Sequence, residues 1–135
     1  MTTGLPRPRI LIVDDNPDLL ELVSSRLAAW GYDAVTATTG EEGLRLAEEQ
    51  VPDLILLDIL MPTMKGYGVC AQLKATPQTA RIPVIFLTAL GLPDHIATGM
   101  NLGADDYLVK PFKPDVLRNR IKLCLMRHGR SPAGR

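Results

Sequence analysis

Three aspartates, a threonine and a lysine stand where this sequence is best placed to do chemistry. Asp14 and Asp15 follow the apolar run Ile10–Val13, and Asp58 ends the run Asp53–Leu57. Thr88 follows Pro83–Leu87, and Lys110 follows Tyr107–Val109. Two carboxylates 4 Å apart at an effective dielectric near 20 repel by roughly 4 kcal/mol, so three together call for a counter-charge. A hard divalent cation with oxygen ligands supplies one. Mg²⁺ suits a site with few carboxylates and spare water positions, and Mn²⁺ could substitute. A carboxylate beside a metal and a lysine is a plausible phosphoryl acceptor, because proteins form covalent aspartyl phosphates. The metal and Lys110 would neutralise the transferring group, and Thr88 could donate a hydrogen bond to one of its oxygens. Against this, a single Asp at a strand end is more often a helix cap, and Asp15 and Asn16 could cap the helix that follows. Two strands ending in acids, joined by Thr88 and Lys110, favour a site.

These residues meet only if the chain folds so that the runs end along one edge. Helix signals fill the gaps between the runs. Asn16-Pro17-Asp18 offers a capping side chain, a proline near the first helical position and an acid in the first turn. Leu19, Leu22, Val23 and Leu27 then recur at helical spacing until Gly31. Thr39 and Glu42 form a capping box. Further helices are expected over Gly66–Lys74, Pro93–Leu102 and Pro114–Arg127, the second of these weakened by Thr98, Gly99 and Asn101. Asp33–Ala37 alternates like a half-exposed edge strand. Alternating strands and helices imply a parallel sheet covered on both faces, and the nearly continuous apolar strands agree. In such sheets ligands bind at the carboxyl edge, where the strand order reverses.

The 135 residues amount to about one domain, and 46% apolar content suffices for one core. Net charge is zero, so nothing global points to nucleic acid or an anionic membrane. Residues 1–112 carry 8 positive and 14 negative charges, whereas residues 113–135 carry 7 and 1, so the last segment is locally basic. Cys70 and Cys124 lack a metal-ligand spacing and read as core cysteines, which suits a reducing compartment. No apolar stretch approaches the roughly 18 residues of a membrane span, and a cytoplasmic location is expected. Residues 1–8 are expected as a flexible N-terminal tail, 9–127 as the domain, and 128–135 as a tail or the start of a linker. His95 and His128 receive no role. Gly66-Tyr67-Gly68-Val69-Cys70-Ala71 fits a loose dinucleotide pattern, but it does not follow a strand directly and is discounted.

Taken in order, Ile12-Val13-Asp14-Asp15, Asp58 with Met61-Pro62 and Gly66, Thr88-Ala89, Gly103-Ala104-Asp105-Asp106-Tyr107 and Lys110-Pro111 resemble the CheY-like receiver domain of bacterial two-component response regulators. The resemblance spans about residues 9–127. It implies a five-stranded parallel sheet of order 2-1-3-4-5 with five helices on both faces. It also implies that Asp58 is the phosphoacceptor, with Lys110 paired to the phosphoryl group. Asp15, Asp58 and the backbone carbonyl of Leu60 would bind Mg²⁺, and Asp14 would act through metal-bound water. Thr88 and Tyr107 would be the switch pair, and Pro111 would follow a cis bond. Implied partners are a sensor histidine kinase or histidine phosphotransfer protein, and a downstream protein or tethered output domain at the face of the fourth helix, fifth strand and fifth helix. A second copy of the chain is a further candidate partner; direct nucleic-acid binding and membrane association are not expected.

Two departures from the family pattern carry expectations. Lys65 stands where an acid is common, which puts only partner contacts in doubt. Leu60 and Leu90, two residues after Asp58 and Thr88, occupy positions that influence the attacking water in this family; both are apolar here, so slow self-dephosphorylation is expected. Leu60 also weighs against the rival class, a small Mg²⁺-dependent phosphatase or phosphotransferase, which would carry a second acid at that position.

Overall fold

The computed structural model describes residues 7–61, 66–89, 93–130 and 132, with the side chains of 93–95 excepted. Five strands and five helices alternate: β1 Arg9–Val13, α1 Pro17–Ala29, β2 Asp33–Ala37, α2 Gly40–Gln50, β3 Leu54–Leu57, α3 Gly66–Ala75, β4 Val84–Thr88, α4 Pro93–Asn101, β5 Asp106–Val109 and α5 Pro114–Arg127. All neighbouring strands pair in parallel, in the order β2-β1-β3-β4-β5. β1 and β3 are neighbours although β2 lies between them in sequence. The chain therefore winds outward in both directions from that pair, leaving a crevice beyond their carboxyl ends.

Two apolar layers sandwich the sheet. Leu11, Val13, Ile55, Leu57, Val84 and Phe86 face Ala47 of α2 and Val69, Cys70 and Leu73 of α3. The alternate residues Ile10, Ile12, Leu54, Leu56, Ile85 and Leu87 face α1 and α5, which contribute Val23, Leu27, Leu117, Ile121 and Cys124. β3 and β4 are buried along their whole length, as expected of strands covered on both faces. β2 is half exposed at one edge.

The start of α1 is capped as its sequence suggests: the Asn16 side chain accepts from the Asp18 and Leu19 backbone N–H groups. Thr39 and Glu42 complete their box, with Glu42 N–H donating to the Thr39 hydroxyl and Thr38 N–H, one residue earlier than the usual pattern, donating to the Glu42 carboxylate. Gly31, at φ +96°, turns the chain out of α1. Strand limits shift by a residue from the sequence expectation. Asp53 lies just outside β3, and its carboxylate accepts the Arg9 N–H at 2.7 Å. Thr88 lies inside β4, paired in register with Val109. The segment after residue 127, expected as a tail, is held to the domain through Arg130. His128 Nε2 lies 2.6 Å from Asp105 Oδ1, and Arg130 Nε lies 3.4 Å from Asp53 Oδ1.

Candidate functional site

Parallel pairing brings the ends of β1, β3, β4 and β5 to one edge, and with them Asp14, Asp15, Asp58, Thr88 and Lys110. Asp58 N–H donates to the Val13 carbonyl at 2.9 Å, which seats the Asp58 loop directly beside the end of β1. Gly66 N–H donates to the Ile59 carbonyl at 2.9 Å. A Cβ on Gly66 would stand 2.2 Å from the Asp58 carbonyl oxygen, so only glycine lets α3 begin so close to this loop. On the other side, Lys110 N–H donates to the Thr88 carbonyl at 2.8 Å, which fixes where the lysine leaves β5. The Lys110–Pro111 bond is cis.

Lys110 Nζ then lies 2.7 Å from Asp14 Oδ2 and 3.8 Å from Asp58 Oδ1. Asp14 is 2% exposed, Asp58 5% and Thr88 0%, while Asp15 is open to solvent. One ammonium thus serves two buried carboxylates. It does not neutralise them. Burial, then the neighbouring Asp14 charge, push the Asp58 carboxyl from 3.8 up to about 6, against the opposing pull of Lys110 and the Leu60 N–H. That N–H approaches Asp58 Oδ1 at 3.4 Å. It is a backbone donor to Asp58 that no pattern in the sequence marks.

One oxygen each from Asp14, Asp15 and Asp58 lies within 4.8 Å of the others. The set is all oxygen, carries excess negative charge and is open on the Asp15 side. Those properties fit a hard cation that keeps some of its water, as Mg²⁺ does. Tyr107, at the middle of β5, packs inward against Phe86 with ring centroids 6.1 Å apart. Its hydroxyl pairs with that of Tyr67 on α3, and burial followed by the Tyr67 interaction pushes it up to about 12. Met61 is buried beside the site, whereas Leu60 is 46% exposed. Leu90, Pro62 and Lys65, all singled out above, lie outside the described residues.

A doubly wound sheet with an acidic cluster, a hydroxyl and a lysine at its switch-point edge defines a class of phosphoryl-handling signalling modules. The response regulator receiver domain family model matches residues 10–122, and the chain belongs to that family, the receiver module of two-component systems. The DNA-binding dual master transcriptional regulator RpaA of Synechocystis is 45% identical over 125 residues, covering 93% of this chain and 52% of that protein. The alkaline phosphatase synthesis regulator PhoP of Bacillus subtilis is 42% identical over 119 residues, 88% of this chain and 49% of its own. The chain thus spans about half the length of the curated relatives it matches. Among solved structures, a response regulator of Chloroflexus aurantiacus superposes with a TM-score of 0.86 at 36% identity, covering 90% of this chain and all of that one. The receiver domain of a Pseudomonas aeruginosa sensor histidine kinase superposes at 0.83 with 31% identity, covering 90% of this chain and 99% of its own; that structure has a magnesium ion coordinated in the active-site cleft.

Proposed function

We propose that Asp58 receives a phosphoryl group from a phosphohistidine on a sensor kinase or phosphotransfer protein. The observation that carries this reading is the buried Asp58 carboxylate, 3.8 Å from Lys110 Nζ at the switch-point edge. An Asp58 oxygen attacks phosphorus in line as the bond to the donor imidazole nitrogen breaks, and the electron pair leaves on that nitrogen. Lys110 meets the charge on the equatorial oxygens, and the Thr88 hydroxyl donates to one of them. Asp15, Asp58 and the Leu60 carbonyl would hold Mg²⁺, with Asp14 nearby on the same edge, and Mn²⁺ would suit the same oxygen donors. When bound, the metal supplies positive charge against the phosphoryl oxygens.

Thr88 and Tyr107 carry the switch. Movement of Thr88 towards the phosphoryl group frees space at Phe86 and Tyr107, and the face of α4, β5 and α5 reports the change. Met100, Val109 and Val116 leave apolar surface exposed on those elements, which suits a downstream protein, an output domain or a second copy. The domain promotes its own phosphorylation and slow hydrolysis and turns over no separate metabolite.

Intact mass after incubation with acetyl phosphate and Mg²⁺ tests the reading, beside an Asp58→Asn control. One added phosphoryl group in the wild type alone is expected. Equal uptake by the control would assign the acceptor elsewhere, and turnover of free phosphate esters would favour the phosphatase class.

A further inference from the structure

A second group of ligand-type side chains lies at the opposite edge of the sheet, where β4 and β5 begin. Asp105, Cys124 and His128 each offer one donor atom, all within 4.8 Å of one another. Cys124 and His128 are four residues apart at the end of α5, so their side chains lie on one face of consecutive turns. Asp105 is fixed from two sides: its N–H donates to the Val84 carbonyl at 2.8 Å, and its Oδ2 accepts the Val84 N–H at 3.0 Å. That leaves Oδ1 to face His128 Nε2 at 2.6 Å. Cys124 is buried, while Asp105 and His128 line a cleft of about 580 Å³ with Lys74, Arg81 and Arg130. The cluster therefore has a dry floor and an open side.

We propose that Asp105 Oδ1, Cys124 Sγ and His128 Nε2 form a tetrahedral Zn²⁺ site whose fourth position opens into this cleft. A sulfur, an imidazole nitrogen and a carboxylate oxygen are the donors zinc takes, and three protein ligands with one open position is an arrangement it adopts. The sulfur and nitrogen disfavour Mg²⁺ and Ca²⁺. With zinc bonds of about 2.0–2.3 Å, tetrahedral ligands stand about 3.3–3.7 Å apart, so the 2.6 Å contact opens by less than about 1 Å on binding. His128 sits in the turn that ends α5 and accommodates this by side-chain rotation. Zinc takes the thiolate, so the Cys124 proton leaves to solvent as the Zn–S bond forms. Metal at this point ties the end of α5 to the start of β5, independently of events at Asp58.

The test titrates the full chain with Co²⁺ in excess Mg²⁺, which keeps the carboxylate cluster at the other edge occupied. A thiolate-to-cobalt charge-transfer band and intense tetrahedral visible bands are expected at one equivalent, with Zn²⁺ abolishing both. His128→Gln alters an exposed residue and should weaken Co²⁺ binding more than about tenfold, since even outer-shell changes can cost that much. Cys124→Ser should remove the charge-transfer band, and Asp58→Asn should leave both signals intact. Where Cys124→Ser does not fold, His128→Gln alone decides. A wild-type spectrum without the thiolate band, or one that survives either ligand substitution, overturns the site and leaves His128 and Asp105 as a simple clasp over a core cysteine.

Discussion

At the residue scale, Asp14, Asp15, Asp58, Thr88 and Lys110 were legible because each breaks an apolar run at its carboxyl end. Periodicity then placed all five on one sheet edge. What the sequence hid were backbone and helix-face relations. The Leu60 N–H that approaches Asp58 belongs to an apolar residue and leaves no signal in side-chain chemistry. Nothing in the sequence links Cys124 and His128 to Asp105, which comes from a distant turn, and His128 lies just beyond the helix. The exposed Leu60 side chain carries a kinetic expectation. With no polar atom to orient water, it should leave a phosphoryl bond on Asp58 slow to hydrolyse. Leu60→Asn, alone or with Leu90→Glu, should shorten the half-life of the phosphorylated chain by about tenfold, below the 10² that a well-placed general base contributes. Decay followed by phosphate release or intact mass checks this, and an unchanged half-life would remove Leu60 from the argument.

At the element scale, every strand and helix expected from alternation and capping is present, and the ends moved where local hydrogen bonds competed. Asp53 lies just before its strand, where its carboxylate receives the Arg9 N–H. Arg130, expected in a tail, is drawn back to Asp53. Pattern reading assigns polar chain ends to solvent and cannot anticipate a partner contributed by a different loop. Gly66 marks where the fit between elements is tightest. It stands in the motif that carries the family resemblance, and the physical reason for a glycine there is the closeness of α3 to the Asp58 carbonyl. Gly66→Ala forces Cβ into backbone that cannot rotate away, unlike the flexible tip of a side chain. The expected cost is about 1–3 kcal/mol by denaturant unfolding. Slower phosphoryl uptake should accompany it, because the acceptor loop moves with the displaced carbonyl. A variant with wild-type stability and uptake would show that α3 can simply step back.

At the scale of the whole molecule, the alternation of elements argued for a parallel doubly wound sheet, while the particular order 2-1-3-4-5 came from the family resemblance. Hydrophobic pattern does not encode which strand neighbours which. The topology has a thermodynamic consequence, since it drives three carboxylates together at one edge with, among the described residues, one close ammonium. Asp58 rises from 3.8 to about 6, so between those values the native state holds a proton that the unfolded chain has released. Stability of the metal-free protein therefore falls as pH rises through this window, and the full penalty applies above it. For a rise of that size it is about 3 kcal/mol, an upper figure because the denatured chain and the site both relax. Asp58→Asn removes the buried charge at nearly constant shape. In EDTA at pH 7.5 it should raise the unfolding free energy by about 1–3 kcal/mol, with the gain shrinking towards pH 4, where wild-type Asp58 is already neutral. Saturating Mg²⁺ should narrow the gap from the other side by stabilising the wild type more than the variant. Equal stabilities at pH 7.5 without metal would mean that the charge of Asp58 is already balanced, and the acidic cluster would lose its reason to seek a cation.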